Sequence, residues 1–173
     1  NLGSALHALG NVEEAISSFK EAIRQDPSLR EAWYGLARIF LETGQYKESE
    51  RACEEALKVS SSFSAAHFCL AASLKGQGRT DEAIAEYKEV LKLSPNHAEA
   101  QSQLGTLLAE KGDIDEAIDV FQATLTIDPG NAVAANNLGR LFQFYKKDLD
   151  AAVRSFQQAI NANRSYAEAY QGL

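Results

Sequence analysis

Few side chains in this sequence have both the type and the spacing that catalysis or metal binding needs. The histidines are His7, His67 and His97, and the cysteines are Cys53 and Cys69. His67 and Cys69 are two residues apart, which on a helix directs them to different faces, and a zinc site needs three or four ligands. The sequence contains no glycine-rich phosphate loop, His-Glu-x-x-His pair or nucleophile elbow. We therefore predict a protein that is not an enzyme and takes no metal and no cofactor.

Amides, arginines and carboxylates are more plentiful, and their chemistry suits recognition. Adjacent glutamates such as Glu54 and Glu55 lie on different sides of a helix, so we interpret them as a solvated face. Asparagine, glutamine and arginine side chains can hydrogen-bond to the backbone and to the carboxylates of a bound peptide. Whether they act together depends on the elements that position them.

Those elements follow from a leucine that recurs every 34 residues, at positions 2, 36, 70, 104 and 138. A small residue follows each leucine, and a large apolar residue comes four positions after it. A second run places a small residue four positions before a ring, with Cys53 replacing the ring in one unit. Both runs have the 3.6-residue spacing of amphipathic helices. A period of this length predicts stacked helical hairpins that each contact their neighbours.

The repeating unit resembles the tetratricopeptide repeat. The matching positions in one unit are Trp33, Leu36, Ala37, Phe40, Gly44 and Ala56, and a later unit matches at Leu104, Gly105, Gly112, Ala117, Phe121 and Pro129. The resemblance covers the whole chain. It implies an all-α fold, a right-handed superhelical solenoid of antiparallel helix pairs.

The period divides the chain into a single array of repeats. The predicted ranges are 1–29 (a partial first repeat), 30–63, 64–97, 98–131, 132–166 and 167–173 (the start of a sixth repeat). Because the chain starts and stops inside a repeat, we expect it to be a piece of a longer array. Repeat 5 is one residue longer, since Leu138 to Ala152 spans 14 residues and Leu104 to Ala117 spans 13. We expect the extra residue to extend the first helix or to bulge the loop, where Lys147 replaces the turn glycine.

Helix ends are predicted from local chemistry. Gly10, Gly44, Gly78 and Gly112 are expected to close first helices in the left-handed conformation. Capping-box spacing predicts side-chain caps at the helix starts. The proposed boxes are Ser28-x-x-Glu31, Asn96-x-x-Glu99, Ser165-x-x-Glu168, Asn11-x-x-Glu14 and Asp113-x-x-Glu116.

The charge pattern restricts the classes of partner. The net charge is −7, and residues 98–131 hold seven acidic residues against Lys111 alone. Without a basic stripe the chain is a poor nucleic-acid binder, because phosphate contacts supply most non-specific affinity. No apolar run reaches the length of a membrane span, so we predict no membrane insertion. We expect Cys53 and Cys69 to be buried free thiols, which favours a reducing compartment such as the cytoplasm.

In the tetratricopeptide family, one face of each first helix lines a concave groove that binds partners. Carrying that face over column by column predicts a partner-binding groove formed by Tyr34, Arg38, Leu41, Phe68, Cys69, Ala72, Gln103, Thr106, Asn136, Asn137 and Arg140. Tyr34 and Phe68 are predicted to anchor an apolar side chain of the partner, and Asn137 and Arg140 to hold its polar groups. The alternative is that both rings pack on adjacent helices as ordinary contacts between repeats.

The resemblance therefore implies a non-catalytic scaffold that binds a protein or peptide in its groove. The family's chaperone-tail clamp is absent, because Tyr34, Arg38 and Cys69 do not match its lysine and asparagine positions. A second interpretation is a regulatory or substrate-recruiting arm of a larger enzyme, for example a glycosyltransferase. The asparagine ladder of such arms is matched here only at Asn1 and Asn137. A third is a structural scaffold that self-associates end to end through uncapped repeats.

Overall fold

The computed structural model describes residues 2–163 and 171–172, and all the secondary structure in these ranges is helical. The elements are α1 (Leu2–Ala8), α2 (Val12–Gln25), α3 (Arg30–Glu42), α4 (Tyr46–Val59), α5 (Ser64–Gly76), α6 (Thr80–Leu93), α7 (Ala98–Lys111), α8 (Ile114–Ile127), α9 (Ala132–Leu141), a π-helical turn (Phe142–Lys146) and α10 (Leu149–Ala162). The predicted all-α helical repeat fold is confirmed. Most of the predicted sixth repeat, with the box at Ser165, lies outside the described residues.

The helices form two compact units, which we call unit 1 (residues 1–94) and unit 2 (residues 95–173). Unit 1 contains the helical pairs α1–α2, α3–α4 and α5–α6, and unit 2 contains α7–α8 and α9–α10. Within each unit a helix packs on its partner in the pair and on the next helix along the chain. This pattern is that of stacked hairpins, in which every helix buries one apolar stripe between neighbours.

In three of the hairpins, a ring lies over the glycine that follows the column leucine. A Cβ atom at Gly3 would lie 2.9 Å from the ring of Phe19, one at Gly105 would lie 2.8 Å from Phe121, and one at Gly139 would lie 2.7 Å from Phe156. These rings come from the second helix of the same repeat and are buried. At these three positions the residue after the column leucine must be small, because a ring occupies the space of its side chain.

The turns inside the hairpins are closed by left-handed residues, as predicted. Gly10, Gly44, Gly78 and Gly112 have φ values of 82°, 74°, 76° and 95°. Lys147 takes the same role in the fifth hairpin with a φ of 57°. A lysine is less favourable than glycine in this conformation because its Cβ crowds the backbone.

The capping-box predictions were mostly wrong. Asn11 and Asp113 stand at the N-caps of α2 and α8, but their side chains make no capping hydrogen bond. Leu29, and not Ser28, is the N-cap of α3, and the Ser28 hydroxyl donates to Asp26 Oδ1 at 2.6 Å. His97, and not Asn96, caps α7 by accepting a bond from Ala100 N.

The extra residue of repeat 5 is absorbed inside the helix. In four hairpins the residue after the turn glycine donates its backbone N–H to a backbone carbonyl oxygen of the first helix. The acceptor belongs to the large apolar residue four positions after the column leucine. The pairs are Asn11 to Leu6, Gln45 to Phe40, Arg79 to Leu74 and Asp113 to Leu108. In the fifth hairpin the equivalent residue, Phe142, is again the acceptor, and Asp148 N donates to its carbonyl oxygen at 3.1 Å. The loop that this bond closes is one residue longer than in the other four hairpins. The end of the first helix widens to a π turn to contain that residue.

The turns between repeats are held by one recurring side-chain hydrogen bond. Trp33 Nε1 donates to Pro27 O at 3.0 Å, and Gln101 Nε2 donates to Pro95 O at 2.9 Å. His67, at the equivalent position in the repeat between them, donates from Nε2 to Ser61 O at 2.9 Å, and its Nδ1 lies 2.6 Å from the Glu86 carboxylate. These contacts give His67 a structural role in place of the metal-binding role excluded above.

A carboxylate on α4 fixes the turn between α5 and α6. Replacing this carboxylate should make the stability of unit 1 less sensitive to acid. Glu50 accepts hydrogen bonds from Gln77 Nε2 at 2.8 Å and from Arg79 Nη1 at 2.5 Å. Burial raises the pKa of the Glu50 carboxyl, but these two bonds outweigh burial, and the pKa lies below the ordinary value of 4.5. Its contribution to stability is therefore complete above pH 4.5 and is lost as the pH falls through the lower folded-state pKa.

We expect Glu50→Gln to lower the urea midpoint at pH 7. Between pH 5 and pH 3, the urea midpoint of the variant should fall by less than that of the parent. Asp119→Asn, which neutralises an exposed carboxylate on α8, is the matched control and should leave the acid sensitivity as in the parent. Urea titrations followed by circular dichroism at both pH values make the comparison. An unchanged loss in Glu50→Gln would mean that this carboxylate does not stabilise the turn.

Candidate functional site

The predicted groove residues lie on the first helices, and we call the surface that carries them the groove face. In unit 1 these residues are Tyr34, Arg38, Leu41, Phe68, Cys69 and Ala72 on α3 and α5. In unit 2 they are Gln103, Thr106, Asn136, Asn137 and Arg140 on α7 and α9. The two sets differ in how they are packed.

Tyr34 and Phe68 are each half-buried against another ring of unit 1. The ring of Tyr34 lies 5.3 Å from that of Phe63 at the start of α5, and the ring of Phe68 lies 5.5 Å from that of Tyr87 on α6. Both pairs meet edge to face, which is a favourable arrangement of aromatic rings. Burial also raises the pKa of Tyr34. These contacts agree with the alternative interpretation of Tyr34 and Phe68, in which both rings pack on adjacent helices.

The two cysteines are free and buried, as predicted. Cys53 stands where the other repeats have a ring, and Cys69 stands where the preceding repeat has Gly35 against the ring of Phe19. The thiols share a hydrogen bond, which together with burial raises the pKa of Cys53. Ser49 Oγ lies 3.7 Å from Cys69 Sγ. Cys69 is thus a buried packing residue on the groove face, and its thiol is not exposed to a partner.

Of the other predicted residues of unit 1, Arg38 borders a polar hollow, whereas Leu41 and Ala72 do not. Arg38 is exposed and lies 3.4 Å from Glu42, which also contacts His7 at 2.8 Å. Leu41 and Ala72 are half-buried. A cavity of about 320 Å³ is lined by Ser4, His7, Ala8, Phe19, Gly35, Arg38 and Glu42. Glu42 was not predicted, although its position four residues after Arg38 is the spacing of a helical ion pair.

Unit 2 brings Thr106, Asn137 and Arg140 together around one cavity of about 280 Å³. We call it the unit-2 cavity, and its full lining is Thr106, Ala109, Glu110, Phe121, Asn137, Arg140, Leu141, Phe144 and Tyr145. Helix α7 forms one wall, and α9 with the π turn forms the other. The buried ring of Phe121 on α8 closes the floor. The cavity therefore combines apolar surface with a few polar groups, as ligand sites do.

Asn136 and Gln103 differ from this set. Gln103 is half-buried, and Asn136 is 1% exposed, so Asn136 is not an accessible lining residue. Within the described ranges its Nδ2 and Oδ1 have no hydrogen-bond partner. Asn136 borders a second hollow of about 420 Å³, which we call the adjoining cavity and whose described lining is Asn136, Arg140, Gln143, Phe144, Phe156, Gln171 and Gly172. Arg140 and Phe144 are shared by both cavities.

Phe144 and Tyr145 are the residues that sequence reasoning missed. They are 57% and 59% exposed, although both are large rings. The missed signal was the one-residue insertion, which was interpreted only as a change in the length of a helix or a loop. Because the π turn takes up that residue, it sets the direction of the two rings at the end of α9.

The basic side chains of unit 2 differ in their partners. Lys146 forms an ion pair with Asp115, and Lys111 Nζ lies 3.3 Å from Asp113. Arg140 is exposed and has no ion pair with any residue in 2–163 or 171–172. Its guanidinium is therefore available to an anionic group.

Two further features of the described residues bear on function. No three histidine, cysteine or acidic side chains among them are placed to hold a metal ion. None of their helices is long and apolar enough to cross a bilayer.

The comparisons with known proteins agree with this architecture. Models of the tetratricopeptide repeat match residues 1–65, 70–132 and 132–166. A search of curated proteins finds no significant match. The solved structure of YrrB, "a TPR protein with an unusual peptide-binding site", is 27% identical with a TM-score of 0.85, over 99% of this chain and 88% of that one.

Two further solved structures share the fold. MamA (residues 41 to the end) from Desulfovibrio magneticus RS-1 is 22% identical with a TM-score of 0.86, over 96% of this chain and 93% of that one. A thermophilic tetratricopeptide repeat protein from Thermus thermophilus is 21% identical with a TM-score of 0.67, over 98% and 92% of the two chains. Since family models match nearly all of its sequence, the chain belongs to the tetratricopeptide repeat family and has the fold of a protein-interaction scaffold.

Proposed function

We propose that this chain binds a peptide segment of a partner protein on its groove face and that the unit-2 cavity is the main anchoring site. One observation carries the proposal. Three groove residues named from the sequence, Thr106, Asn137 and Arg140, line one cavity with the exposed rings of Phe144 and Tyr145. Such a site offers apolar contact to a side chain and directional bonds to the backbone beside it.

The polar groups of the cavity suit a peptide backbone. The Thr106 hydroxyl donates to Ser102 O at 2.9 Å, which leaves its oxygen free to accept a bond from a peptide N–H. The Asn137 side chain is half-exposed and supplies both a donor and an acceptor. A backbone that offers alternating N–H and C=O groups can meet these groups without side-chain specificity.

The likeness to YrrB supports a peptide as the class of ligand. YrrB is described as having a peptide-binding site, and this chain is similar to it over 99% of its length. Tetratricopeptide repeats are in general non-catalytic modules that bind proteins or peptides, and the Thr106 hydroxyl in the cavity donates to a backbone carbonyl oxygen, Ser102 O. Binding without catalysis is the function that these features support best.

The proposal is tested by filling the cavity. Ala109 lines the cavity on α7, and Ala123 is exposed on α8 of the same hairpin. Ala109→Trp and Ala123→Trp therefore add the same side chain, at the site and away from it. Displayed random peptides are selected on the parent chain, and the affinities of the enriched peptides for all three proteins are measured by fluorescence anisotropy.

We expect Ala109→Trp to weaken binding by about tenfold or more, since it removes the space for an anchor side chain. The affinity of Ala123→Trp for the same peptides should stay within about twofold of the parent's, which is less than the loss of one contact would cause. Circular dichroism melts confirm that both variants are folded. If the selection enriches no peptide, or if both tryptophan variants bind like the parent, the unit-2 cavity is not a peptide site.

A further inference from the structure

We infer that the unit-2 cavity selects a peptide in which a carboxylate lies beside an apolar side chain. Arg140 takes the carboxylate, and Phe144 and Tyr145 hold the apolar group. This inference rests on the proposed function and specifies its ligand. Three observations carry it, concerning the π turn, the charge of the cavity and the buried amide of Asn136.

The π turn places two rings where the preceding repeat has charged side chains. Counted from the column leucine, Phe144 and Tyr145 occupy the positions of Glu110 and Lys111 in repeat 4. Both rings are more than half exposed and both border the unit-2 cavity. Contiguous exposed apolar surface is a mark of interaction sites, and π turns recur at functional sites. Repeat 5 therefore presents an apolar clamp at positions where repeat 4 has two charged residues.

The charges around the cavity set the sign of the ligand. Arg140 lies one helical turn before Phe144 and has no ion pair among the described residues, whereas Lys146 of the same turn is bound to Asp115. Glu110 lies on the opposite wall, on α7, and repels an anion from that side. A carboxylate is thus directed to the α9 wall, where a guanidinium can bind it through two parallel hydrogen bonds.

The buried amide of Asn136 borders the adjoining cavity, which shares Arg140 with the unit-2 cavity. Its donor and its acceptor have no partner within 2–163 and 171–172, although the side chain is 1% exposed. Buried polar groups are nearly always hydrogen-bonded. Asn136 lies one helical turn before Arg140, and both border the adjoining cavity. An amide without a partner among the described residues therefore lies one helical turn from the guanidinium that takes the carboxylate.

The carboxylate can come from an aspartate or glutamate side chain or from the C-terminus of the partner. Both sources present the same planar anion to Arg140, and peptides distinguish them. Each enriched peptide from the selection above is synthesised with a free acid or an amide at its C-terminus. It is also made with each aspartate or glutamate replaced by asparagine or glutamine.

The protein variants are Arg140→Gln, Arg140→Lys and Phe144→Ala, with Arg154→Gln as the matched control. Arg154 is an exposed arginine on α10 that borders neither cavity. We expect enriched peptides to carry an acidic group next to an apolar residue. Arg140→Gln should weaken their binding by about tenfold or more, and Phe144→Ala by about thirtyfold. The affinity of Arg140→Lys should lie between those of the parent and Arg140→Gln. The affinity of Arg154→Gln should stay within about twofold of the parent's, because this charge lies away from the site.

The outcomes separate this inference from the proposed function. If neutralising the one acidic group of a peptide lowers its affinity for the parent but not for Arg140→Gln, Arg140 binds that group. If peptides bind the parent, lose affinity with Ala109→Trp and respond equally to Arg140→Gln and Arg154→Gln, the groove function stands and the carboxylate inference is wrong. If no peptide depends on the cavity, both are wrong.

Discussion

Replacing Phe121 with alanine is expected to lower the free energy of unfolding by about 3–5 kcal/mol, the range for large aromatic residues in cores. The ring is fully buried on α8 and lies against Gly105 of α7, so that its removal leaves a void between the helices of one hairpin. It also closes the floor of the unit-2 cavity. Urea denaturation followed by circular dichroism measures the loss.

The control is Phe144→Ala, the same substitution in the same unit. Phe144 is 57% exposed, so we expect a change within about 0.5 kcal/mol, as for most surface substitutions. This comparison also shows whether any effect of Phe144→Ala on peptide binding is independent of stability. Equal losses in the two variants would mean that Phe121 does not hold the hairpin together.

Replacing Gly35 with leucine is expected to destabilise unit 1 by about 1–3 kcal/mol, the cost of overpacking a core. A Cβ atom at this position would lie 2.4 Å from the ring of Phe19, which cannot move away because it also lies against Gly3. Helix propensity alone predicts the opposite sign, because leucine favours a helix over glycine by about 1 kcal/mol. The experiment therefore separates packing from propensity.

A double-mutant cycle supplies the control for Gly35. In the Phe19→Ala background the ring is absent, and Gly35→Leu should cost less or even stabilise the protein by filling the space. Chemical denaturation of the four proteins gives the coupling energy between the two positions. A coupling close to zero, or a single Gly35→Leu variant more stable than the parent, would contradict the packing described for this column.

The parts of the fold that could be predicted from the sequence are those with a repeating physical cause. The 34-residue period predicted the helical pairs, because each column leucine and each ring must meet the next element in the same way. The turn glycines were predicted correctly for a similar reason, since Gly10, Gly44, Gly78 and Gly112 all need a positive φ. The capping boxes were less reliable, because a side chain such as that of Ser28 has other local partners, here the Asp26 carboxylate, and α3 begins after Leu29.

The candidate site was harder to predict because its chemistry depends on departures from the period. Cys69 follows the groove column, but it is buried because Cys53 replaces the ring that this column otherwise meets. Asn136 is likewise buried, although its column carries the half-buried Tyr34 and Phe68 in unit 1. Phe144 and Tyr145 are exposed through a π turn, and the sequence indicates only that one residue is extra, not where the helix will take it up.

Binding of a partner at the unit-2 cavity can be tested by mapping a selected peptide onto the chain by NMR. The amide signals of the chain are assigned and followed while the peptide is added. We expect the largest shifts on α7, α9 and the π turn, at Thr106, Asn137, Arg140 and Tyr145. Shifts concentrated on α8 and α10, with these four residues unchanged, would contradict it.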